Sequence, residues 1–477
     1  MYIVLLIILV YLLLVVFGRN KEKNMEPISL DQDQQKALDL MENGEQSILL
    51  TGGAGTGKSE VLKKFKEKTN KSIVVLAPTG VAAVNVKGQT IHSFFKFPPN
   101  VRIETVAEIR DPAIYKKPDA IIIDEISMVR ADLLDCVDLF LRKNGPNSDL
   151  PFGGIRMIFI GDPFQLPPVV TQEDRQRQTF SGNPYSGPYF FDSNVFQNGF
   201  EYTLLDLNIS HRHDAQDQGR FIAFLNDVRK NICDNSHLKY INERHEPLFD
   251  EDKPSSQVHL MTKKQMVAEF NSRRLSKLKV KEFTFDAAII GEWKEIDYPA
   301  DEFLKLKVGV QVMLLNNDSE KRWANGDIAK VLKIDQKAGF IEIKINDGNK
   351  FLVGKCTWKH EGYFLNEETG ELEYGEDGLT FVQYPLRLAW AFTIHKAQGK
   401  TFDNVVVNLG NGAFAHGQAY VALSRCRTFQ GVVLRRPLRF TDIKVDERVV
   451  RFMNGESFSD VYQEPEEDLV YDYNDTD

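Results

Sequence analysis

Short, fully apolar runs recur in two parts of this chain, and stretches of helical pattern separate them. The runs are rich in β-branched side chains, and each stops at small, polar or acidic residues. Runs of this kind are typical of parallel strands that are buried on both faces. We predict strands within 47–51, 72–79, 120–125 and 156–162, and a second set within 258–262, 405–409 and 431–436. Two such sets predict two α/β domains in tandem.

The region between the two parts of the second domain has a different pattern. From 275 to 383, short alternating runs are punctuated by Gly, Asp, Asn and Lys, which is typical of antiparallel hairpins. The simplest account is a small β-barrel inserted into the second α/β domain. The predicted division is therefore 25–200 for the first domain, with a small wedge insertion near 94–117, 201–274 with 384–450 for the second, and 275–383 for the barrel.

The N-terminal segment is uninterruptedly apolar from Tyr2 to Phe17, and basic residues follow it. A helix of this length measures about 24 Å at 1.5 Å per residue, slightly less than the ~30 Å hydrocarbon core of a bilayer. Basic residues after such a segment favour a cytoplasmic main body. We predict that 1–24 forms a membrane anchor with its basic flank. The alternative is that Met25 is the true start.

The bulk composition is that of a globular protein, with 42% hydrophobic and 27% charged residues among 477. The predicted disordered tail, 451–477, is strongly acidic, and its part from 457 onward holds eight Asp and Glu and no Lys or Arg. Removing those eight charges from the net charge of −9 leaves the body at about −1, which does not exclude a basic channel for nucleic acid. The four cysteines form no CxxC pair, which argues against a zinc site or a disulfide framework.

A phosphate-binding motif follows the first predicted strand. The segment "GGAGTGKS" fits the GxxxxGKS pattern between a strand and a helix. Its backbone N–H groups would converge on phosphate oxygens at the helix N-terminus, Lys58 would neutralise the β- and γ-phosphates, and Ser59 would hold Mg²⁺. The candidate nucleotide contacts are Gly52, Gly53, Ala54, Gly55, Thr56, Gly57, Lys58 and Ser59.

Two further strand ends carry candidate catalytic groups. Asp124 and Glu125 end the strand within 120–125, where Asp124 can reach Mg²⁺ and Glu125 can orient an attacking water. Gln165 lies in the loop "GDPFQLPPV", whose prolines stiffen the backbone after the strand within 156–162. Because its amide can donate and accept hydrogen bonds, we expect Gln165 to sense the γ-phosphate.

Five segments share one family pattern: "LDQDQ", "APTGVAAVNVKGQTIHSFF", "DLLD…PFGGIRMIFIGDPFQLPPV", "LAWAFTIHKAQGKTFD" and "AYVALSRCR". Through them the chain resembles the Pif-type DNA helicases, the 5′-to-3′ branch of helicase superfamily one near the RecD and Dda helicases. The resemblance runs from about Leu30 to Arg436. It implies two RecA-like domains with an SH3-like barrel inserted in the second.

The resemblance also implies roles for residues by position. Gln34 would contact adenine, Gly399 would lie at the nucleotide, and Arg212 and Arg425 would act as arginine fingers. The implied DNA contacts are Thr79, His92, Ser93, Phe94, Phe95, Thr393, His395, Lys396 and Gln398. Core packing is an equally good account of Phe94 and Phe95. Two departures from the family pattern are Pro163, where many relatives carry an aromatic residue, and "SHRHD" around Arg212.

The implied activity is ATP-dependent, Mg²⁺-dependent unwinding of DNA with 5′-to-3′ movement on single strands, in DNA repair, recombination or replication. The expected partners are single-stranded DNA and DNA junctions, and the motor is expected to be monomeric. Two alternatives are a DNA-stimulated translocase that unwinds poorly and a P-loop ATPase that remodels proteins. A second complete α/β domain counts against the last of these.

Overall fold

A computed structural model of the chain describes residues 30–170, 185–209, 216–251, 257–291, 298–345, 348–366 and 369–456. The predicted membrane segment, Arg212 and the acidic tail from 457 onward lie outside these residues, so the predictions for them stay predictions. Among the helices that the structure describes, none combines the length and the apolar character needed to cross a membrane.

The first domain is built on a six-stranded parallel sheet with the strand order β3-β2-β4-β5-β1-β6. Its strands are β1 Ser47–Gly52, β2 Ile73–Ala77, β3 Gln89–Thr90, β4 Ala120–Ile123, β5 Arg156–Ile160 and β6 Tyr202–Leu207. Its helices are α1 Gln32–Asn43, α2 Lys58–Lys68, α3 Gly80–Val86, α4 Ile91–Phe94, α5 Ala131–Asn144 and α6 Asn194–Gln197.

Helices cover both faces of this sheet. Along the central strand β1, Ile48 and Leu50 pack with the apolar faces of α1 and α2, whereas Leu49 points to the opposite cluster, which includes α5. Both faces of the inner strands are therefore buried, which explains why they read as unbroken apolar runs.

The first sheet extends beyond the predicted boundary at residue 200. Strand β6 pairs in parallel with β1, from Ser47 opposite Tyr202 to Gly52 opposite Leu207. Most of β6 is only partly buried, and Leu204 is exposed. Such an edge strand lacks the continuous apolar run of the inner strands, so its pattern did not mark it as part of this sheet.

The second domain begins after β6. Its first stretch of chain forms α7 Gln216–Lys230, α8 Asn235–Asn242, β7 Val258–Met261 and α9 Lys264–Lys277.

The insertion that follows is antiparallel, as its alternating pattern predicts. Its strands are β8 Glu282–Asp286, β9 Ala288–Ile290, β10 Phe303–Lys307, β11 Gln311–Leu314, β12 Ile328–Asp335, β13 Phe340–Ile345, β14 Lys350–Val353, β15 Cys356–Leu365, β16 Leu372–Gln383 and β17 Leu386–Leu388. They form sheets ordered β14-β13-β12-β11-β17, β15-β16-β9 and β10-β8. Because β17 pairs with β11, the insertion runs to Leu388, five residues beyond the predicted end.

The chain then returns to the second domain. It forms β18 Ala391–Thr393, β19 Val405–Asn408, α10 Gln418–Ser424, β20 Val432–Leu434 and α11 Glu447–Met453. The parallel sheet β18-β7-β19-β20 contains the three predicted strands and β18, which was not predicted.

Two elements from the later part of the chain pack on the first domain. At the tip-side half of the β15–β16 hairpin, the hydroxyl of Tyr363 accepts a 2.7 Å hydrogen bond from the Val75 amide, and Tyr374 donates to the Gly88 carbonyl. On α11, Phe452 stacks on Phe191 with ring centroids 4.3 Å apart. The two domains are thus held together by more than the single connection between β6 and α7.

Candidate nucleotide site and nucleic-acid interface

The phosphate-binding loop joins β1 to α2. Gly55 and Gly57 both have φ of +83°, in the left-handed region where glycine carries no Cβ penalty, and Gly57 is the residue that caps α2. The hydroxyl of Thr56 donates a 3.0 Å hydrogen bond to the Gly53 carbonyl, which closes the loop on itself. The predicted strand–loop–helix context of this motif is confirmed.

Gln34 lies directly beside this loop. Its side-chain nitrogen donates 3.1 Å to the Thr56 carbonyl, and its side-chain oxygen accepts from the Asp31 amide. Asp31 in turn accepts from the Gln34 amide, which completes a capping box at the start of α1. The adenine contact of Gln34 stays a prediction, and its amide now has a second role in fixing the phosphate loop.

Lys58 is turned back onto its own loop. Its ammonium group donates to the carbonyls of Gly52 and Gly53 at 2.6 and 3.1 Å. Burial lowers the pKa of Lys58, and the nearby carboxylates of Asp162, Glu125 and Asp124 oppose that change. The predicted phosphate lysine therefore lies within the electrostatic influence of three carboxylates of the site. Ser59 is exposed in the first turn of α2.

Asp124 and Glu125 follow β4 at the carboxyl edge of the sheet. Burial, followed by the negative charge of Glu125, raises the pKa of Asp124 to about 7. Burial also raises the pKa of Glu125, and the positive charges of Lys58 and Arg425 oppose that rise. Glu125 has φ of +52°, an uncommon conformation for a residue with a side chain. Backbone strain of this kind concentrates at functional sites.

Gln165 lies in the interface between the two domains and is 7% exposed. Its side-chain nitrogen donates 3.4 Å to the Asp162 carboxylate, and its side-chain oxygen accepts 3.2 Å from the Gln398 side chain of the second domain. The next residue, Leu166, packs in the core of the second domain. The stiff loop is therefore in a position to transmit changes at the nucleotide to the second domain.

Two predicted residues of the second domain face the first-domain carboxylates. A Cβ added to Gly399 would lie 3.7 Å from the Glu125 carboxylate oxygen. Arg425 is 4% exposed, and its guanidinium donates to the carbonyls of Lys400 and Val421 and to the Ser424 hydroxyl. These contacts hold the predicted arginine finger within its own domain, near enough to influence Glu125.

Three residues of this site were missed by the sequence reasoning. Asp162 is fully buried and forms a 2.9 Å ion pair with Arg229 of α7, and its carboxylate also accepts a 3.1 Å hydrogen bond from the Tyr420 hydroxyl. Asp162 lies two residues after β5, and Asp124 directly follows β4, so the position of Asp162 near a strand end was a usable signal. Arg229 lies on α7 outside the quoted motifs, whereas Tyr420 lies within the quoted motif "AYVALSRCR", which was a usable signal for it.

The first predicted DNA-contacting cluster lies at the carboxyl edge of the first sheet. Thr79 is exposed and caps α3, accepting from the Ala82 amide. The Ser93 hydroxyl accepts 2.7 Å from the Gln89 side chain, and His92 beside it is partly exposed. Hydroxyl and imidazole groups at this edge suit contacts with phosphate oxygens.

Phe94 and Phe95 are in the core of the first domain, at 4% and 2% exposure. Phe95 stacks on Phe97 and Tyr115, and Phe94 packs edge-on against Tyr115 and against Tyr363 of the hairpin. This arrangement corrects the assignment of the two rings to DNA, because neither is available to stack on a base or to wedge a junction here. The packing alternative accounts for them.

The second predicted DNA-contacting cluster follows β18. Lys396 is exposed, whereas the Thr393 hydroxyl is buried and accepts a 3.2 Å hydrogen bond from the Lys396 amide. Burial lowers the pKa of His395 to about 4, so its imidazole is neutral at physiological pH. Gln398, also assigned to DNA, contacts Gln165 in this conformation.

Comparison with known proteins agrees with this arrangement. The family described as PIF1-like helicase matches residues 29–237. The ATP-dependent DNA helicase Pif1 of Bdellovibrio bacteriovorus is 34% identical over 420 residues, which cover 85% of this chain and 88% of that protein. The chain belongs to the Pif1-like helicase family. Among solved structures, Pif1 of Bacteroides sp in complex with ADP-AlF4 has a TM-score of 0.78 and 33% identity, and the match covers 90% of this chain and 97% of that one.

A second Bacteroides Pif1 structure, bound to single-stranded DNA, has the same coverage and identity but a TM-score of 0.64. The arrangement of this Pif1-like chain is thus more similar to the nucleotide-analogue complex than to the DNA-bound structure.

The residues at the site fit a nucleoside triphosphate with Mg²⁺. Mg²⁺ takes one or two protein oxygens together with phosphate oxygens and waters. The raised pKa of Asp124 reflects the cost of charging a buried carboxyl group beside Glu125, and a divalent cation would offset that cost. The loop glycines and the start of α2 supply the N–H groups that phosphate oxygens require.

Proposed function

We propose that this protein is an ATP-dependent DNA helicase that moves 5′ to 3′ on single-stranded DNA and unwinds duplex DNA. The observation that carries the proposal is the placement of Lys58, Glu125 and Gln165 of the first domain against Gln398 and Arg425 of the second. A site shared between two domains makes their closure depend on the bound nucleotide. Membership of the Pif1-like family supports ATP as the nucleotide and DNA as the track.

The first-domain groups prepare the reaction. Lys58 would exchange the carbonyls of Gly52 and Gly53 for phosphate oxygens, because its charge is better satisfied there. Glu125 would orient the attacking water, and Ser59 and Asp124 would hold a Mg²⁺ ion that neutralises phosphate charge. Arg425 approaches from the other domain, so its contribution requires closure.

The DNA path follows from the two polar clusters. Thr79, His92 and Ser93 lie at the carboxyl edge of the first sheet, and the exposed Lys396 lies at the carboxyl edge of the second, beside the buried Thr393. Contacts from both edges to one sugar–phosphate backbone would position a strand without reading its sequence. The insertion, which the family resemblance identifies as SH3-like, helps to cover that strand.

The proposal is tested with the full chain and two partial duplexes, one carrying a 5′ single-stranded tail and one a 3′ tail. Strand separation and ATP turnover are followed together, with Lys58→Ala as the inactive control. Unwinding of the 5′-tailed substrate alone supports the helicase and its direction. DNA-stimulated turnover without strand separation would identify a translocase, and turnover indifferent to DNA would favour a protein-remodelling ATPase.

We also propose that residues 2–17 anchor the protein in a membrane, with the motor in the cytoplasm. The length and apolar character of the segment support this, as do the basic residues that follow it. Cells expressing the full chain and a version that starts at Met25 are fractionated. The full chain is expected in membranes and the shorter version in the soluble fraction, and a soluble full chain would contradict the proposal.

A further inference from the structure

We propose that Tyr420 is a positioning residue that couples the phosphate-binding loop to the second domain, an inference that rests on the proposed ATP hydrolysis. Its hydroxyl accepts a 2.8 Å hydrogen bond from the Ala54 amide and donates 3.1 Å to the Asp162 carboxylate. One atom of the second domain therefore contacts two separate loops of the first domain. Ala54 belongs to the phosphate-binding loop, and Asp162 begins the loop that carries Gln165.

The direction of these hydrogen bonds is fixed by the chemistry of the groups. The Ala54 amide can only donate, and a carboxylate can only accept. The hydroxyl must therefore stay protonated to serve both, and burial raises the pKa of Tyr420. Phenylalanine keeps the ring but can make neither bond.

Asp162 joins Tyr420 to the rest of the interface. Its carboxylate also accepts from Arg229 at 2.9 Å and from the Gln165 side chain at 3.4 Å. A shift of Tyr420 would therefore change the hydrogen bonds of Asp162, and through Asp162 the position of Gln165, which is predicted to sense the γ-phosphate. The carboxylate is fully buried, so bulk water cannot replace a hydrogen-bond donor that it loses.

The helix that carries Tyr420 is closely seated on this loop. Gly417, which caps α10, has φ of +69°, and a Cβ at this position would lie 2.5 Å from the Phe164 carbonyl oxygen. Only glycine permits this approach. Because α10 packs this closely on the Gln165 loop, a movement of α10 with the second domain would displace the Tyr420 hydroxyl from its two partners in the first domain.

The backbone of the phosphate-binding loop is thus hydrogen-bonded to side chains at two points. Gln34 of the first domain holds the Thr56 carbonyl, and Tyr420 of the second domain holds the Ala54 amide. The hydrogen bond from Gln34 lies within the first domain, whereas the hydrogen bond to Tyr420 can form only when the second domain is in this position. We expect Tyr420 to affect the rate of hydrolysis more than the binding of ATP.

The test is the Tyr420→Phe variant of the full chain, with ATP turnover measured first without DNA. We expect kcat to fall about tenfold, as for one hydrogen bond that matters in the transition state, with KM for ATP unchanged within about twofold. The matched control is Tyr240→Phe, a buried tyrosine of the same domain that stacks on Phe429 away from the loop, and it should leave both constants unchanged.

A second variant, Asp162→Asn, separates positioning from general destabilisation. If Tyr420 acts through Asp162, the double variant should lose much less than the product of the two single losses. Multiplicative losses, an unchanged kcat for Tyr420→Phe, or a raised KM with unchanged kcat would each overturn the proposal. The Tyr420 measurement needs no DNA, so its outcome is separate from the test of the helicase assignment. That assignment would be contradicted if DNA did not stimulate ATP turnover by the wild-type protein.

Discussion

The side chain of Gln398 donates a 3.2 Å hydrogen bond to the side-chain oxygen of Gln165 across the two α/β domains. Both amides come from separate predicted motifs, one assigned to the γ-phosphate and the other to DNA. Their contact places the two assignments at one point of the interface. A signal between nucleotide and DNA therefore has a direct route through two neutral side chains.

This contact predicts that Gln165→Ala and Gln398→Ala reduce DNA-stimulated ATP turnover in a non-additive way. Each single variant removes the same hydrogen bond, so the double variant should be little worse than the more impaired single variant. Turnover with saturating single-stranded DNA measures this. Gln336→Ala, in an exposed turn of the insertion, is the control. Independent, multiplicative losses would show that the two residues act separately.

Lys58→Ala should reduce ATP turnover by at least about a hundredfold while the protein stays folded, because the lysine neutralises phosphate charge. Circular dichroism checks the fold and a phosphate-release assay checks turnover. Lys63→Ala changes an exposed lysine of the same helix, with a 61% exposed side chain, and should behave as wild type. If Lys58→Ala hydrolysed ATP at the wild-type rate, the assignment of this loop as the ATP site would be wrong.

Arg425→Ala should leave ATP binding measurable while hydrolysis falls by about 10³-fold or more, as expected for an arginine finger supplied by the second domain. Binding of a fluorescent nucleotide and single-turnover hydrolysis measure the two quantities. Arg427→Ala, whose side chain is 59% exposed, is the control. An equal loss of binding and hydrolysis would mean that the buried Arg425 is structural.

The raised pKa of Asp124 predicts a pH-dependent requirement for Mg²⁺. Only the ionised carboxylate binds the metal, and with a pKa of about 7 its ionised fraction falls about tenfold between pH 8 and pH 6. The Mg²⁺ concentration for half-maximal ATP turnover should therefore rise over this range. Glu67→Gln, an exposed carboxylate of α2, should leave the profile unchanged. A Mg²⁺ requirement that does not vary with pH would contradict this role.

The same pKa predicts how the free energy of unfolding changes with pH. Because the folded value lies above the ordinary value of 3.8, proton binding by Asp124 stabilises the nucleotide-free fold fully below about pH 4, and this stabilisation is lost as the pH rises through 7. Asp124→Asn should show a smaller decrease in stability over that window, measured by thermal unfolding of the protein without Mg²⁺.

Tyr363→Phe should loosen the contact between the β15–β16 hairpin and the first domain. The substitution leaves the Val75 amide without its 2.7 Å acceptor, at a cost of about 1–3 kcal/mol. Hydrogen exchange of that amide should be about tenfold faster or more. Tyr298→Phe, which packs on Phe381 within the insertion, should leave it unchanged. Unchanged protection in Tyr363→Phe would show that the hydroxyl does not hold the hairpin.

The sequence alone determined the local features of this protein. The sequence predicted seven strands because each is largely buried and therefore carries a run of mostly apolar residues; they are β1, β2, β4, β5, β7, β19 and β20. The phosphate loop was predicted because its glycine conformations need a fixed spacing. Lys58, Asp124 and Glu125 could be named because they lie at defined distances from strand ends.

Only the tertiary structure decided which distant residues meet. Edge strand β6 is half exposed and joins the first sheet through pairing with β1. Asp162, Arg229 and Tyr420 form one buried network although 67 residues separate the first two and 258 separate the first from the third. Phe94 and Phe95 became core residues because Tyr115 and a hairpin almost 270 residues away cover them. Local spacing encodes strands, helices and loops, whereas an interface between domains depends on contacts that no local pattern records.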